Sequence, residues 1–467
     1  MKIILKGQWM NLLWCIINHF RIMQRYLKKE IIVDEKEAVN SIKQWAYSLQ
    51  SKAHLQPLMD CIGDARIVML GEASHGTHEY YTWRSHISKK LIEEKGFNFI
   101  AVEGDWPDCY RLNRFVKGYD VENKSALKVL QQFNRWPTWM WANWEIVALA
   151  DWLQKHNTGL PANKKAGFYG LDVYSLWESM ESIMQYLKKT DPSALKVAEE
   201  AFQCFEPYQK DEGQSYARAS QFVPELCETE VVDLLKEIQK KLPTYNTDHE
   251  NVFSAEQNAL ITVNAEKYYR AMIHGGPHSW NVRDRHMADT MERLLKFHGE
   301  NSKVIVWEHN THIGDARATD MAGEGMYNIG ELARTQHHDK GVVLVGFGSY
   351  KGTVIAGKSW GAQMQSIQMP EARKGSWEYL LHTAGKENKL LIMEDFSGND
   401  WFMEYHIGHR AIGVVYNPQY EQFGNYVPTI LPLRYDAFIY LDETNALHPL
   451  HIQPDGKQMP ETFPFGV

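Results

Sequence analysis

The chain has 467 residues, a formal net charge of -8 and a pI near 6.2. That length exceeds the size at which one hydrophobic core usually stops growing, so one large domain with an insertion, or two domains in close contact, is expected. The 44% apolar and 23% charged composition is that of an ordinary globular protein, and the acidic balance gives no electrostatic reason to bind nucleic acid.

At the N-terminus, Lys2 and Lys6 precede the apolar stretch Trp9–Ile17. Asn11, Asn18 and His19 interrupt it, no small-x-small cleavage site follows, and it is too short to span a bilayer. Residues 1–33 read as a dispensable extension, with an amphipathic surface helix as the alternative, and 34–467 as the domain. No other stretch approaches ~18 uninterrupted apolar residues, so no transmembrane helix and no membrane partner are expected. Cys15, Cys61, Cys109, Cys204 and Cys227 are scattered, odd in number and never in a CxxC pair. Neither a disulfide framework nor a thiolate zinc site is expected, and a reducing, cytoplasmic setting fits.

From about Asp34 the pattern is helical, with Val39, Ile42, Trp45 and Leu49 at helical spacing. A recurring arrangement follows, in which a short aliphatic or β-branched run ends in a polar cluster and gives way to a helical pattern. Arg66–Leu70 leads into Gly71-Glu72-Ala73-Ser74-His75-Gly76, and Phe97–Val102 into Glu103-Gly104-Asp105-Trp106. Gly167–Leu171 leads into Asp172, and Lys303–Trp307 into Glu308-His309-Asn310-Thr311-His312. Val342–Phe347, Leu390–Met393, Ala411–Val415 and Ala437–Leu441 are further expected strands. Strands alternating with helices predict a three-layer α/β fold, its sheet largely parallel or mixed and covered by helices on both faces. Between Tyr174 and Glu300 strand signals vanish. Segments around Leu176–Lys189, Ala194–Cys204, Val231–Leu242 and Phe253–His274 read as helices, and Glu206–Pro224 as a polar loop. A helical insertion at about residues 174–300 is therefore expected over the sheet edge.

In open α/β sheets the ligand crevice lies beyond the carboxyl ends of the strands. Glu72, His75, Glu103, Asp172, Glu308, His309 and His312 all follow expected strands, so separate strand ends deliver carboxylates and imidazoles to one rim. Burying so much ionisable chemistry for structure alone is costly. Taken singly the residues have plainer readings: Asp172 as a helix N-cap, His309 as a satisfied core histidine. The Gly71–Gly76 cluster is the sharpest signal. Its glycines permit a tight turn and close backbone approach, and Glu72 and His75 emerge together. Histidine is the usual general base near neutral pH, and a neighbouring carboxylate can fix its tautomer.

Other chemistries leave different marks. Ser74 lacks the G-x-S-x-G context of a serine hydrolase's nucleophile elbow, because Glu72 stands where the first glycine would be. There is no H-E-x-x-H, because Thr82 stands where the second histidine after His78-Glu79 would be. His309 and His312, three apart, leave a metal-dependent hydrolase or peptidase open as the alternative, with Glu72 or Glu103 as further ligands, although no cofactor and no metal ligand set is expected. The run Arg135–Trp144 is rich in tryptophan and reads either as core packing or as a pocket wall. Trp139 in that run, and Trp106 after the second strand, are the candidate wall residues. Met287, Met291, Leu294, Leu295 and His298 share one helical face, and at about 100° per residue Arg283 and Asp284 fall on it while Arg285 points away. Arg283 is thus the candidate site arginine; its plainer reading is a structural ion pair with Asp284 or another buried acid.

The blocks GEASHGTHEYYTWR at Gly71–Arg84 and AVEGDW at Ala101–Trp106, followed by WNVRD at Trp280–Asp284 and EHNTH at Glu308–His312, resemble the erythromycin esterase family. The similarity in layout spans roughly residues 36–440. It implies hydrolysis of an ester or lactone by water without an acyl-enzyme, the substrate being a small molecule and macrolide antibiotics one option. His75 would be the base, with Glu72 and Glu103 holding it or the water. Arg84 would polarise the carbonyl or bind the oxyanion, and His309 and His312 would complete the pocket with Arg283 and Asp172. A non-catalytic small-ligand-binding homologue is the alternative from another class. The oligomeric state has no signal in the sequence.

Overall fold

The structure, a computed structural model, describes residues 35–120, 122, 125–211, 214–223, 226–241, 248–272, 277–337, 341–397 and 400–451. The N-terminal extension and Cys15 lie outside the described residues.

Alternation along the short strands builds the layers. In β2 (Ile67–Leu70) Val68 and Leu70 pack into one core while Ile67 and Met69 pack into another. β3 (Phe99–Asp105) and β5 (Val304–Trp307) repeat the division, with Ile100, Val102, Ile305 and Trp307 on the first face and Phe99, Ala101, Val304 and Val306 on the second. Successive side chains point to opposite faces of a strand, and both faces are apolar here, so both must be covered.

The remaining strands of this sheet are β1 (Tyr47–Ser48), β4 (Gly167–Asp172), β6 (Val342–Gly357), β7 (Met364–Met369), β8 (Lys389–Ile392) and β11 (Ala437–Thr444). The order is β1-β8-β11-β6-β2-β5-β3-β4, with β7 on β6. Pairing is parallel from β11 through β4, whereas β8 runs antiparallel to β11 and β1, and β7 to β6. The expected mixed, three-layer α/β sheet is therefore present. A separate hairpin pairs β9 (Ile407–Arg410) with β10 (Tyr426–Thr429).

Between β4 and β5 the described residues are helical, including Leu176–Thr190, Pro192–Phe205, Glu228–Lys241, His249–Met272 and Pro277–His298. Most of these helices close around a core of their own, from Val173 to Tyr269.

Several local expectations are corrected. Ala411–Val415 is not a strand; it makes isolated bridges to Ser74 and Gly357 while the strand lies earlier, at β9. The first described helix is Glu35–Trp45, so Leu49 falls outside it, and Trp45 is exposed. Glu206–Pro224 contains a helix, Gln214–Ser220, rather than loop alone. Cys204 and Cys227 form a disulfide between the helical block's segments, which overturns the reading of unpaired cysteines and removes the cysteine argument for a reducing setting. No described helix is long and apolar enough to cross a membrane.

Candidate active site

The turn after β2 is held by close backbone approach. A Cβ on Gly71 would lie 2.1 Å from the Asn310 side chain, and one on Gly76 would lie 2.0 Å from the Ile355 carbonyl. Only glycine fits at either end, and the loop is clamped against the strand-end loop of β5 by the Asn310 N–H to Glu72 carbonyl bond of 2.9 Å. In β3 the register against β4 breaks between Val102 and Asp105, so Glu103 sits in an irregularity of the kind that re-aims a side chain.

These loops surround a cavity of about 480 Å³. His75, Glu103, Asp172, Arg283, His309 and His312 all line it. Glu72 is fully buried behind His75, with its Oε1 3.0 Å from His75 Nδ1. Its Oε2 accepts a 2.7 Å bond from Arg84 Nη2. Burial pulls the His75 imidazole down, but the carboxylates of Glu103 and Glu72 outweigh it and hold the ring above its ordinary value.

Arg283 is the hub of the opposite wall. It donates to Asp172 from Nε at 2.9 Å and from Nη2 at 2.6 Å, and to Glu103 Oε1 at 2.6 Å. Its Nη1 lies 3.0 Å from His312 Nε2, and Nδ1 of that ring is 2.9 Å from Asp284. An arginine N–H can only donate, so His312 Nε2 accepts and Nδ1 carries the hydrogen toward Asp284. Trp280 stacks on the same imidazole at 4.4 Å. The other Glu103 oxygen accepts from the His309 backbone N–H at 2.9 Å. Burial alone would raise Glu103, but the positive charge around it, the Arg283 guanidinium included, and the His309 backbone N–H hold it well below the usual carboxylate range.

His309 differs from His75, although the rings are 4.9 Å apart. Its Nδ1 accepts from the Thr311 N–H and is 2.8 Å from the Thr311 hydroxyl, so the hydrogen belongs on Nε2. Nε2 has the Ala73 carbonyl nearby and, among the described residues, no partner that meets hydrogen-bond geometry. Burial, then the charge of His75, push this imidazole well below its ordinary value. Glu308, one residue earlier, is fully buried, and neither of its oxygens has a hydrogen-bond partner among the described residues. Burial and the negative charges of Glu103 and Asp284 drive its carboxyl well above the ordinary value.

Three expected positions move. Arg84 is not on the cavity wall: it is fully buried between the Tyr81 and Trp307 rings, at 4.4 and 4.7 Å, and its charge is spent on Glu72. Trp106 is buried on the far face, donating to Ser254 Oγ at 3.0 Å and stacked on Tyr169, because the helix it begins turns its indole inward. Trp139 is core, and its neighbours Trp136 and Trp141 reach the wall instead. Asp172 is not a helix cap; it grips Arg283. Arg283 faces the cavity as its helical phase predicted, while Arg285 lies over the Tyr327 ring.

Sequence reasoning gave no site role to the residues that hold the wall. Asp284 fixes His312, and its own backbone partner is the Ile329 N–H at 3.2 Å. Arg135, at the head of the tryptophan run, pairs with Asp105 at 2.7 Å, and Tyr174 lies over both Arg135 and Arg283. Position after a strand was the available signal for Asp105; helical phase was the signal for Asp284.

A family model described as erythromycin esterase matches residues 92–444, beginning inside the helix that follows the Gly71–Gly76 turn. An erythromycin esterase type II from Escherichia coli is 24% identical over 366 residues, covering 73% of this chain and 83% of that protein. A crystal structure of a Bacillus cereus protein superposes with a TM-score of 0.74 at 20% identity, covering 89% of this chain and 99% of the other. An erythromycin esterase mutant in an open conformation gives a TM-score of 0.62 at 14% identity, covering 84% and 94%. These strand-end carboxylates and imidazoles thus sit in a chain that belongs to the erythromycin esterase family, a family of hydrolases.

Proposed function

We propose that this chain is a carboxylic-ester hydrolase in which His75 activates water for direct attack on an ester or lactone carbonyl. The observation that carries the reading is the Glu72–His75 pair, 3.0 Å apart, with the imidazole on the cavity wall and the carboxylate behind it. Glu72 takes the Nδ1 hydrogen, which leaves Nε2 as the base. A water that loses a proton to Nε2 adds to the carbonyl carbon. The C–O bond to the alcohol then breaks, and the alcohol leaves with the proton that His75 had taken.

The developing oxyanion needs donors that are already in place. Arg283, fixed by Asp172, Glu103 and His312, is the group this reading assigns to it. Glu103 has both oxygens committed, so its role is to hold Arg283 and the His309 loop rather than to accept a proton. Ser74 plays no nucleophilic part, because its buried hydroxyl is bonded to Thr77 and does not line the cavity.

The ring-rich wall of Phe133, Trp136, Trp141, Tyr174, Trp280 and Trp360 suits a bulky, largely apolar substrate. A macrolide lactone such as erythromycin is the substrate we assign, with antibiotic resistance as the consequence. The metal-dependent alternative fits poorly with these side chains. Both His312 nitrogens are taken, and the Arg283 guanidinium already occupies the Glu103 and Asp172 oxygens that a cation would use.

Incubation with 14-membered macrolides in heavy-oxygen water tests the proposal. The expected product is heavier by one labelled water, with no adduct on the protein. Turnover of simpler esters without macrolide turnover would leave the mechanism and remove the substrate. Tight macrolide binding with no hydrolysis of any ester would favour a non-catalytic binder.

A further inference from the structure

We propose that His78, Glu145 and His448 form a site for a divalent transition-metal ion that fastens the C-terminal segment to the sheet-covering helices, separate from the cavity. None of the three lines that cavity. Nδ1 of His78 lies 2.6 Å from Glu145 Oε1, and Nδ1 of His448 lies 2.8 Å from the same oxygen. The two imidazoles meet edge to face with centroids 5.2 Å apart. One ligand atom from each residue falls within a 4.8 Å cluster.

The local fold brings these groups together from distant parts of the chain. His78 opens the helix His78–Lys95, directly after the Gly71–Gly76 turn, and Glu145 lies in the first turn of the helix Trp144–Asn157. His448 belongs to the segment after β11. That segment is stitched to both helix starts by backbone bonds from His78 N–H to Asn445 carbonyl at 2.8 Å and from Trp144 N–H to His448 carbonyl at 3.0 Å. The ligand backbones are therefore placed before any ion arrives, which lowers the ordering cost of binding.

Hydrogen bonding alone distributes these groups badly. Two imidazoles crowd one carboxylate oxygen, while the other, Glu145 Oε2, is buried and has no hydrogen-bond partner among the described residues. The Glu145 side chain is fully buried, so that oxygen forgoes water as well. A cation between the three groups uses the same Nδ1 and carboxylate atoms. Its binding moves the imidazole hydrogens from Nδ1 to Nε2 and replaces two N–H···O bonds with coordinate bonds.

The ligand chemistry selects the class. Two imidazoles and one carboxylate suit zinc and its first-row neighbours, and are too nitrogen-rich for calcium or magnesium. A tetrahedral shell with bonds of about 2.1 Å separates its ligand atoms by roughly 3.4 Å, so the His–Glu contacts open slightly on binding. The His448 side chain is 40% exposed, which leaves the outer position to water.

The test uses the full chain stripped with a chelator, with zinc sulfate as the probe. Wild type should take up one zinc per chain and gain about 2–5 °C in Tm at a 100-fold excess over Kd. His448→Ala, at a half-exposed position outside the catalytic cavity, should keep its fold and ester turnover while losing both the zinc equivalent and the Tm gain. Glu145→Gln should do the same if it folds, and His78→Ala serves where it does not. Wild type that takes up no zinc, or a His448→Ala variant that binds it with unchanged stoichiometry and Tm gain, would overturn the proposal.

Discussion

β2 and β5 are adjacent parallel strands, and each is followed by a buried glutamate off the cavity wall and a histidine on it, with opposite results. After β2, Glu72 is bonded to Arg84 at 2.7 Å and to His75 at 3.0 Å. After β5, Glu308 is equally buried and bonded to nothing among the described residues, and its carboxyl is driven toward the neutral form. His75 is raised by the carboxylates near it, whereas His309, 4.9 Å away, is pushed down by burial and by the His75 charge. Residue type and position after a strand are alike; charge neighbours decide the chemistry.

The sharpest way to break that contrast is His75→Ala. We expect kcat/KM to fall by about 10²–10⁴-fold with substrate binding and Tm nearly kept, a general base being worth that much. In wild type the base must be neutral, and its pKa lies above the ordinary 6.5. Activity should therefore decline already above pH 6.5 as the medium is made more acidic. Near-normal turnover in the variant, or an acid limb centred well below 6.5, would count against His75.

Glu72→Gln should lower kcat/KM by about 10²-fold and move the acid limb to lower pH, because a carboxylate that raises His75 is gone. It also leaves Arg84 unpaired and fully buried, so a stability loss of about 3–5 kcal/mol should appear in denaturant unfolding. Arg84→Gln should cost similar stability and leave KM nearly unchanged, since the guanidinium does not reach the cavity. A large KM effect without destabilisation would restore Arg84 as a substrate contact.

Ser74→Ala should keep activity within about threefold and lose about 1 kcal/mol, the worth of one buried hydroxyl bond. Serine-directed phosphonates should leave the wild type active. A stable adduct at Ser74 would replace the direct-water mechanism.

The smallest effect on rate belongs to Glu308→Gln, which swaps a neutral acid for a neutral amide. The folded pKa of Glu308 is raised above its ordinary 4.5, so its stability contribution is fully present below that value and lost as pH rises through the folded pKa. The variant should match wild type in Tm near pH 4 and exceed it in alkaline buffer, with kcat little changed. Equal Tm values across the range would mean that Glu308 is ionised and paired in solution.

Much of this frame was legible in the sequence. Short apolar runs ending in polar clusters located β2, β3, β4 and β5, because a strand buried on both faces must be continuously apolar and must end where polar groups begin. Their carboxyl ends then marked the rim, and the helical phase of Met287, Met291 and Leu294 placed Arg283 on it. The tryptophan run was legible only as a cluster. Trp139 and Trp136 lie three residues apart, yet one is core and the other is wall, a difference set by what packs against each.

The sequence by itself determined the layered α/β architecture and the set of acids and imidazoles at the strand ends, because periodicity and composition are local properties. Tertiary structure decided which of those groups carry charge and which face the cavity. Arg84 turned from substrate toward Glu72, Asp172 became a clamp on Arg283, Asp284 became the partner of His312, and Cys204 met Cys227. Each of these outcomes depends on a partner contributed by another segment of the chain, and ionisation and hydrogen bonding are decided by such neighbours within a few ångströms rather than by the residue alone.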